Sequence, residues 1–325
     1  MHRRTFARTA ACLAALALLA ACGARAGSTE EFPSEPIRLL VPYVAGGPTD
    51  LAARAYGAAI EQQLGQSVVV ENMPGASGAV ATQELVSADP DGYTLALVTA
   101  GTVVLTPLVN DVGYTAADVT PVGVFSEVPS VLAVGADSPY RDVASFVADA
   151  RARPAAISVG VPGASTPQGI ELQRLRDEYG VEVTPVPFNG NAEMTTALLG
   201  GNVDAVLINA SQDVTENIDA GRFRPLAVST GEPLDWLPGI PTLVDAGFPG
   251  LTLSGSTFGL AGPAGLPGPV VSRLEEALRT AHSDPAVVAK VGERYTGPRF
   301  HGAADLRAVL DHAHDVYEPI LKGKR

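Results

Sequence analysis

Four short loops hold most of the residues with chemistry to offer. They are residues 44–50 ("VAGGPTD"), 99–102 ("TAGT"), 162–166 ("PGAST") and 189–191 ("NGN"). Glycine lets a ligand approach the backbone with no Cβ in the way, and Thr and Ser add hydroxyl donors. If helices begin at these loops, their first-turn amides are unpaired and carry the positive end of the helix dipole, a setting that receives a carboxylate or phosphate. No loop contains Lys or Arg, the Gly-Lys-Ser/Thr of a P-loop, or the spaced glycines of a dinucleotide fingerprint. A small carboxylate held by amides and hydroxyls therefore fits better than a polyphosphate. Each loop alone also reads as an ordinary turn.

Other chemistry finds little support. The histidines beyond the N-terminal segment, His282, His301, His312 and His314, all lie after residue 281, and "GAST" is not a nucleophile elbow. His312 and His314 are two residues apart, so on a helix they point apart and read as a solvated face rather than a metal pair. No catalytic residue, metal or cofactor is expected.

The elements around the loops form a repeated unit of apolar run, Gly-containing loop and Ala/Leu-rich amphipathic run. "IRLLV" (37–41), "SVVVEN" (67–72) and "YTLALV" (93–98) read as strands, and "TDLAARAYGAAIEQQLG" (49–65) and "AVATQELVSA" (79–88) as helices. Leu51, Ala55, Ala59 and Ile60 are expected to form the buried face of the first helix. The pattern restarts near residue 131 with "VLAVG" (131–135), "ISVGV" (157–161), "VEVTPVPF" (181–188), "VDAVLI" (203–208) and "RPLAVST" (224–230). Residues 253–267 read as a crossing segment and the C-terminal tail as helical. Strands alternating with helices predict parallel sheets covered on both faces. The expected architecture is two α/β lobes, 36–131 with 255–325 and 132–254, with the chain crossing between them twice.

The N-terminal segment reads as an address. Arg3, Arg4 and Arg8 precede an apolar stretch of about a dozen residues, too short for a stop-transfer helix. Leu19-Ala20-Ala21-Cys22 resembles a lipoprotein cleavage box, so residues 1–21 are expected to be a signal peptide, Cys22 the lipidated residue, and 22–35 a tether. Arg3-Arg4-Thr5-Phe6 leaves twin-arginine and general secretory export both open. The chain has two cysteines, and Cys12 lies inside the signal, so no internal disulfide is expected in the exported form. Losing three arginines with the signal leaves 19 basic against 35 acidic residues, which argues against nucleic acid and against anionic membrane surfaces as partners.

The stretch "PIRLLVPYVAGGPTDLAARAYGAAIEQQLGQSVVVENMPGASGAVATQELVSADPDGYTLALVTAGT" resembles the opening of the tripartite tricarboxylate transporter substrate-binding receptors, the TctC or Bug family. "VPFNGNAEMTTALLGGNVDAVL", "IDAGRFRPLAVST", "LPGIPTLVDAGFPG" and "GLAGPAGLPGPVVSRLEEAL" continue the resemblance in order, over about residues 36–320. It implies a periplasmic-binding-protein-like (type II) fold, with two α/β domains joined by a two-segment hinge and a ligand cleft between them.

It also implies a monomer that captures a carboxylate-bearing solute (a dicarboxylate, tricarboxylate, amino acid or aromatic acid). That solute would be delivered to the large and small membrane subunits of a tripartite permease, from a lipid anchor on the outer face of the cytoplasmic membrane or from the periplasm. A receptor presenting the same ligand to a sensor kinase is the alternative, and an exported α/β hydrolase a distant one. By matching motif, the first lobe would offer Tyr43, Gly46, Gly47, Asp50, Thr99, Ala100 and Thr102 to the ligand. The second would offer Gly163, Ser165, Thr166, Phe188, Asn189, Gly190 and Asp204. Asp50 reads equally as a ligand-side group and as a helix-start residue, and Asp204 as structural. Pro48 replaces a common glycine and removes one amide. Phe188 and Asn189 replace the family's usual Tyr and basic residue, which disfavours a highly charged, citrate-like ligand.

Overall fold

The run 37–41, apolar apart from Arg38, becomes β1 (Ile37–Val41), with β2 (Val68–Asn72) and β3 (Thr94–Val98) parallel on either side of it. The computed structural model describes residues 32–297 and 299–322. The expected signal peptide, the lipidation site Cys22 and the tether up to residue 31 lie outside the described residues. The chain divides into two units, Met1–Ser34 and Glu35–Arg325, and every element below belongs to the second.

Two further strands complete the first sheet: β4 (Val119–Val128) at its edge, and β10 (Ser256–Pro263) between β3 and β4 and antiparallel to both. The second sheet has the order β7-β6-β8-β5-β9. Its strands are β5 (Ser130–Gly135), β6 (Ser158–Val161), β7 (Thr184–Pro187), β8 (Ala205–Asn209) and β9 (Phe223–Ser229). β6 runs parallel to β7 and β8, while β5 is antiparallel to β8 and β9. The strands with a proline inside them, β4, β7 and β9, sit at sheet edges, where a missing N–H breaks no central ladder, and central β10 has its proline only at its last residue. The expectation of wholly parallel sheets is thus corrected: each sheet is mixed, because the strand that follows each crossing, β5 in the second sheet and β10 in the first, runs back against the parallel set. The chain crosses through Pro129 and returns through residues 252–255.

The longer helices are α1 (Pro48–Leu64), α2 (Ala79–Val86), α3 (Val143–Ala152), α4 (Pro167–Tyr179), α5 (Asn191–Leu199), α6 (Gln212–Asp219), α7 (Gly268–His282), α8 (Pro285–Val291) and α9 (Ala303–Lys322). None is long and apolar enough to cross a membrane. Each sheet has its own core. Leu40, Leu85, Val98, Leu306 and Leu310 pack on the first, Phe146, Ile157, Val159, Leu207 and Phe248 on one face of the second, and Met194, Val206 and Ile208 on its other face.

Leu51 departs from expectation. It is 41% exposed, whereas Ala55, Ala59 and Ile60 are buried as expected, together with Ala52, Ala53, Tyr56 and Leu64. The helix packs against β2, α7 and α8 together, so its buried face is broad and largely alanine, and the one leucine near its start falls outside it.

Candidate functional site

The carboxyl ends of β1 and β3 on one side, and of β6, β7 and β8 on the other, converge on a narrow cavity of about 20 Å³. Tyr43, Pro48, Thr49, Thr99 and Phe258 reach it from the first sheet's side. Pro162, Thr166, Pro167, Gln168, Gly190, Asn191 and Asn209 reach it from the second, with Ser256 at the start of β10. Ligands of open α/β sheets sit outside the carboxyl ends of strands, which is where this cavity lies.

Three helices open at the cavity. α1 starts after Gly47 with Pro48 in its first turn, α4 after Thr166 with Pro167, and α5 after Gly190. The first-turn amides of each have no carbonyl within their own helix to bond, and the dipoles bring partial positive charge to the same space. The prolines fit first-turn positions because their absent N–H would be unpaired there anyway. Each nevertheless leaves its helix with one donor fewer at the cavity. Among the described residues, those lining the cavity include no Lys, Arg, Asp or Glu. The Tyr43 phenol, pushed up by burial and only partly offset by Thr99 beside it, stays protonated and so remains a donor.

Four residues singled out from sequence line the cavity: Tyr43, Thr99, Thr166 and Gly190. The others are placed around it. Thr102 is fully buried and exchanges hydrogen bonds with Thr99. Thr99 N–H donates to Thr102 Oγ1 at 3.0 Å, and Thr102 N–H donates to Thr99 Oγ1 at 3.2 Å. This exchange fixes the Thr99 rotamer. Asp50 turns into its own lobe, where Oδ2 accepts from Gly46 N–H at 2.9 Å and Oδ1 from Asn72 Nδ2 at 3.0 Å, with Arg54 also at 3.0 Å. Burial pushes its pKa up, but the bonds from Arg54, Gly46 and Asn72 outweigh that and hold it below the ordinary carboxylate range. Gly46, at φ +87°, makes the turn that Asp50 clasps.

Gly47, Gly163, Ser165 and Asn189 sit where the lobes meet. Asn110 Nδ2 donates to Ser165 Oγ at 2.9 Å, Ser165 N–H to Ser77 Oγ at 3.4 Å, and Val44 N–H to Asn189 O at 3.1 Å. A Cβ on Gly163, whose φ is +152°, would lie 2.7 Å from Ser77 Oγ, so only glycine allows this approach. Gly47 lies beside the first amides of α5. Ala100 faces the groove behind the crossings rather than the cavity. The Phe188 ring packs over Gly160 of β6. Asp204 lies at the opposite end of β6 and β8, where Oδ2 accepts from Ser158 N–H at 2.8 Å and from its hydroxyl at 2.6 Å.

Sequence reading missed Thr49, Gln168, Asn209 and Ser256, and it named Asn191 only as part of its loop. Gln168 is 1% exposed, and its Nε2 donates to Asn209 Oδ1 at 2.8 Å and Ser130 Oγ at 3.0 Å. Asn191 Nδ2 donates to Asn209 O at 2.9 Å. A signal existed for Asn209 alone, a polar residue at the carboxyl end of a strand buried along its length, where packing by itself calls for an apolar one.

Two α/β lobes joined by two crossings, with a polar cavity between them, define a bilobal solute-binding receptor. The receptor model of the tripartite tricarboxylate transporter family (TctC) matches residues 52–321, and the chain belongs to that family. It is 34% identical to a Cupriavidus necator protein, "UPF0065 protein in gbd 5'region", over 288 residues, covering 88% of this chain and 86% of that one. The fold is similar to that of MatC from Rhodopseudomonas palustris with bound malate, with a TM-score of 0.83 and 27% identity, covering 89% of this chain and 100% of that one. It is also similar to R. palustris Rpa4515 with adipate, with a TM-score of 0.78 and 29% identity over 90% and 97% of the two chains. The family is one of solute-binding receptors, so the protein carries out no chemical step.

Proposed function

We propose that the protein captures a small carboxylate-bearing solute between its lobes, outside the cytoplasm, and hands it to the membrane subunits of a tripartite permease. The observation that carries this reading is the convergence of three helix N-termini and the Thr99 hydroxyl on one cavity lined by uncharged residues. A carboxylate there gains several hydrogen bonds to its charged form, and these are stronger once closure excludes water. With no cation in the lining, selection rests on the number and direction of donors. The similar receptors with malate and with adipate support a carboxylate ligand.

Closure is proposed to be a hinge motion at Pro129 and residues 252–255, bringing the lobe of the first sheet and the lobe of the second together. The bonds Asn110–Ser165 and Val44–Asn189 act as latches of the closed form. Lipidation at Cys22 would hold the receptor near its permease. Thermal unfolding in a panel of mono-, di- and tricarboxylates, amino acids and aromatic acids tests the ligand class. At least one acid is expected to raise the melting temperature in a concentration-dependent way. No shift across the panel would overturn the reading.

A further inference from the structure

Gln168 sits in the first turn of α4 and lines the cavity at 1% exposure. The orientation of its amide is fixed from behind. The Ser130 hydroxyl has a single proton, and it is committed to Ser254 O at 2.7 Å. Toward Gln168, Ser130 Oγ can therefore only accept, so the group facing it at 3.0 Å is the Gln168 Nε2 donor. The same Nε2 meets Asn209 Oδ1 at 2.8 Å and stands 3.5 Å from Ser256 Oγ. The other end of the amide, Oε1, is buried and has no hydrogen-bond partner among the described residues.

A buried carbonyl oxygen without a partner costs free energy, and it is an acceptor only. An ionised carboxylate is likewise only an acceptor and cannot satisfy it. The groups that can are a water, for which the cavity has room, or a donor carried by the ligand that takes that water's place. A hydroxyl fits better than an ammonium, because a desolvated cation would find no carboxylate among the residues lining the cavity. We propose that this receptor selects hydroxy-carboxylates: the carboxylate is held at the helix N-termini, and a hydroxyl donates to Gln168 Oε1. This rests on the carboxylate reading above and narrows its substrate class. Ser130 follows the first crossing and Ser254 lies in the return crossing, so Gln168 also ties the ligand hydroxyl to the hinge.

Calorimetric titration with matched acids that differ by one hydroxyl tests the proposal: malate and succinate, lactate and propionate, citrate and tricarballylate, mandelate and phenylacetate. In the wild-type protein, the hydroxylated member of the pair that binds is expected to bind about tenfold or more tighter than its partner. Gln168→Met keeps the volume and removes the carbonyl; it is expected to weaken the hydroxylated acid and to abolish the difference between the pair. Equal binding of both members by the wild type overturns the hydroxyl selection and leaves the carboxylate reading standing, as does discrimination retained by Gln168→Met. Tighter binding of aspartate than of malate overturns it in favour of an ammonium. If none of these acids binds while another acid of the wider panel does, the hydroxyl selection falls and the carboxylate reading stands. The wild-type comparison stands even if the variant does not fold.

Discussion

Thr99 and Thr102 form a reciprocal pair at the end of β3, and only Thr99 faces the cavity. The backbone amides of both are bonded within the pair, so the hydroxyls of Thr99 and the neighbouring Tyr43 are the side-chain donors left on this side for a ligand, one proton satisfying the other oxygen. Thr99→Val is expected to weaken carboxylate binding about 10- to 100-fold, the cost of one hydrogen bond to a charged group, as read by calorimetry. Asp50 makes a different prediction. Its folded-state pKa is depressed, so the stability it contributes is present above the ordinary carboxylate pKa and is lost as pH falls through the lower, folded value. Asp50→Asn is expected to destabilise the protein by about 1–3 kcal/mol at pH 7 in chemical denaturation, with the difference shrinking in acid. The loop glycines, Thr99 and Thr166 were legible in the sequence because hydroxyls after an apolar run mark a strand–helix junction. Gln168 was not, because behind Pro167 it reads as one more polar residue in a helix start.

At the scale of elements, two contacts govern how the lobes meet. Asn110 and Ser165 join the lobes by one side-chain bond. Asn110→Ala is expected to weaken ligand binding by about 0.5–1.5 kcal/mol through loss of the closed form, with little change in the melting temperature of the unliganded protein. The return crossing is gripped from both sides. Glu171 of α4 accepts from Leu253 N–H at 2.8 Å, and Tyr317 of α9 donates to Leu253 O at 2.9 Å. Burial pushes the Glu171 carboxyl up to about 7, against the opposing pull of the Leu253 amide and Arg174. The folded protein therefore takes up a proton between about pH 4.5 and 7, and its stability falls as pH rises through that window. Glu171→Gln is expected to flatten this dependence and to be the more stable form at pH 8, by on the order of 1–3 kcal/mol, with no difference below about pH 4.5. The strands and helices themselves were legible from apolar runs and their period. Strand direction was not, because alternation of types says nothing of which way a strand next to a crossing runs. β4 was missed altogether, since Pro121 and Gly123 break its apolar run.

For the whole molecule, each sheet carries its own core and the lobes meet at a small uncharged cavity, with Ile170 of α4 buried in the first sheet's core, so opening costs that apolar contact as well as a few hydrogen bonds. A bound carboxylate adds bonds to both sides at once and shifts the population toward closure. The radius of gyration in solution scattering is accordingly expected to fall on addition of the acid. A crystal structure grown with the acid that stabilises the protein most decides where the carboxylate sits. One ligand carboxylate is predicted to lie about 2.7–3.1 Å from Thr99 Oγ1 and from first-turn amides of α4 or α5, between closed lobes. An acid bound elsewhere, or a carboxylate held by a Lys or Arg side chain instead of these donors, would contradict it.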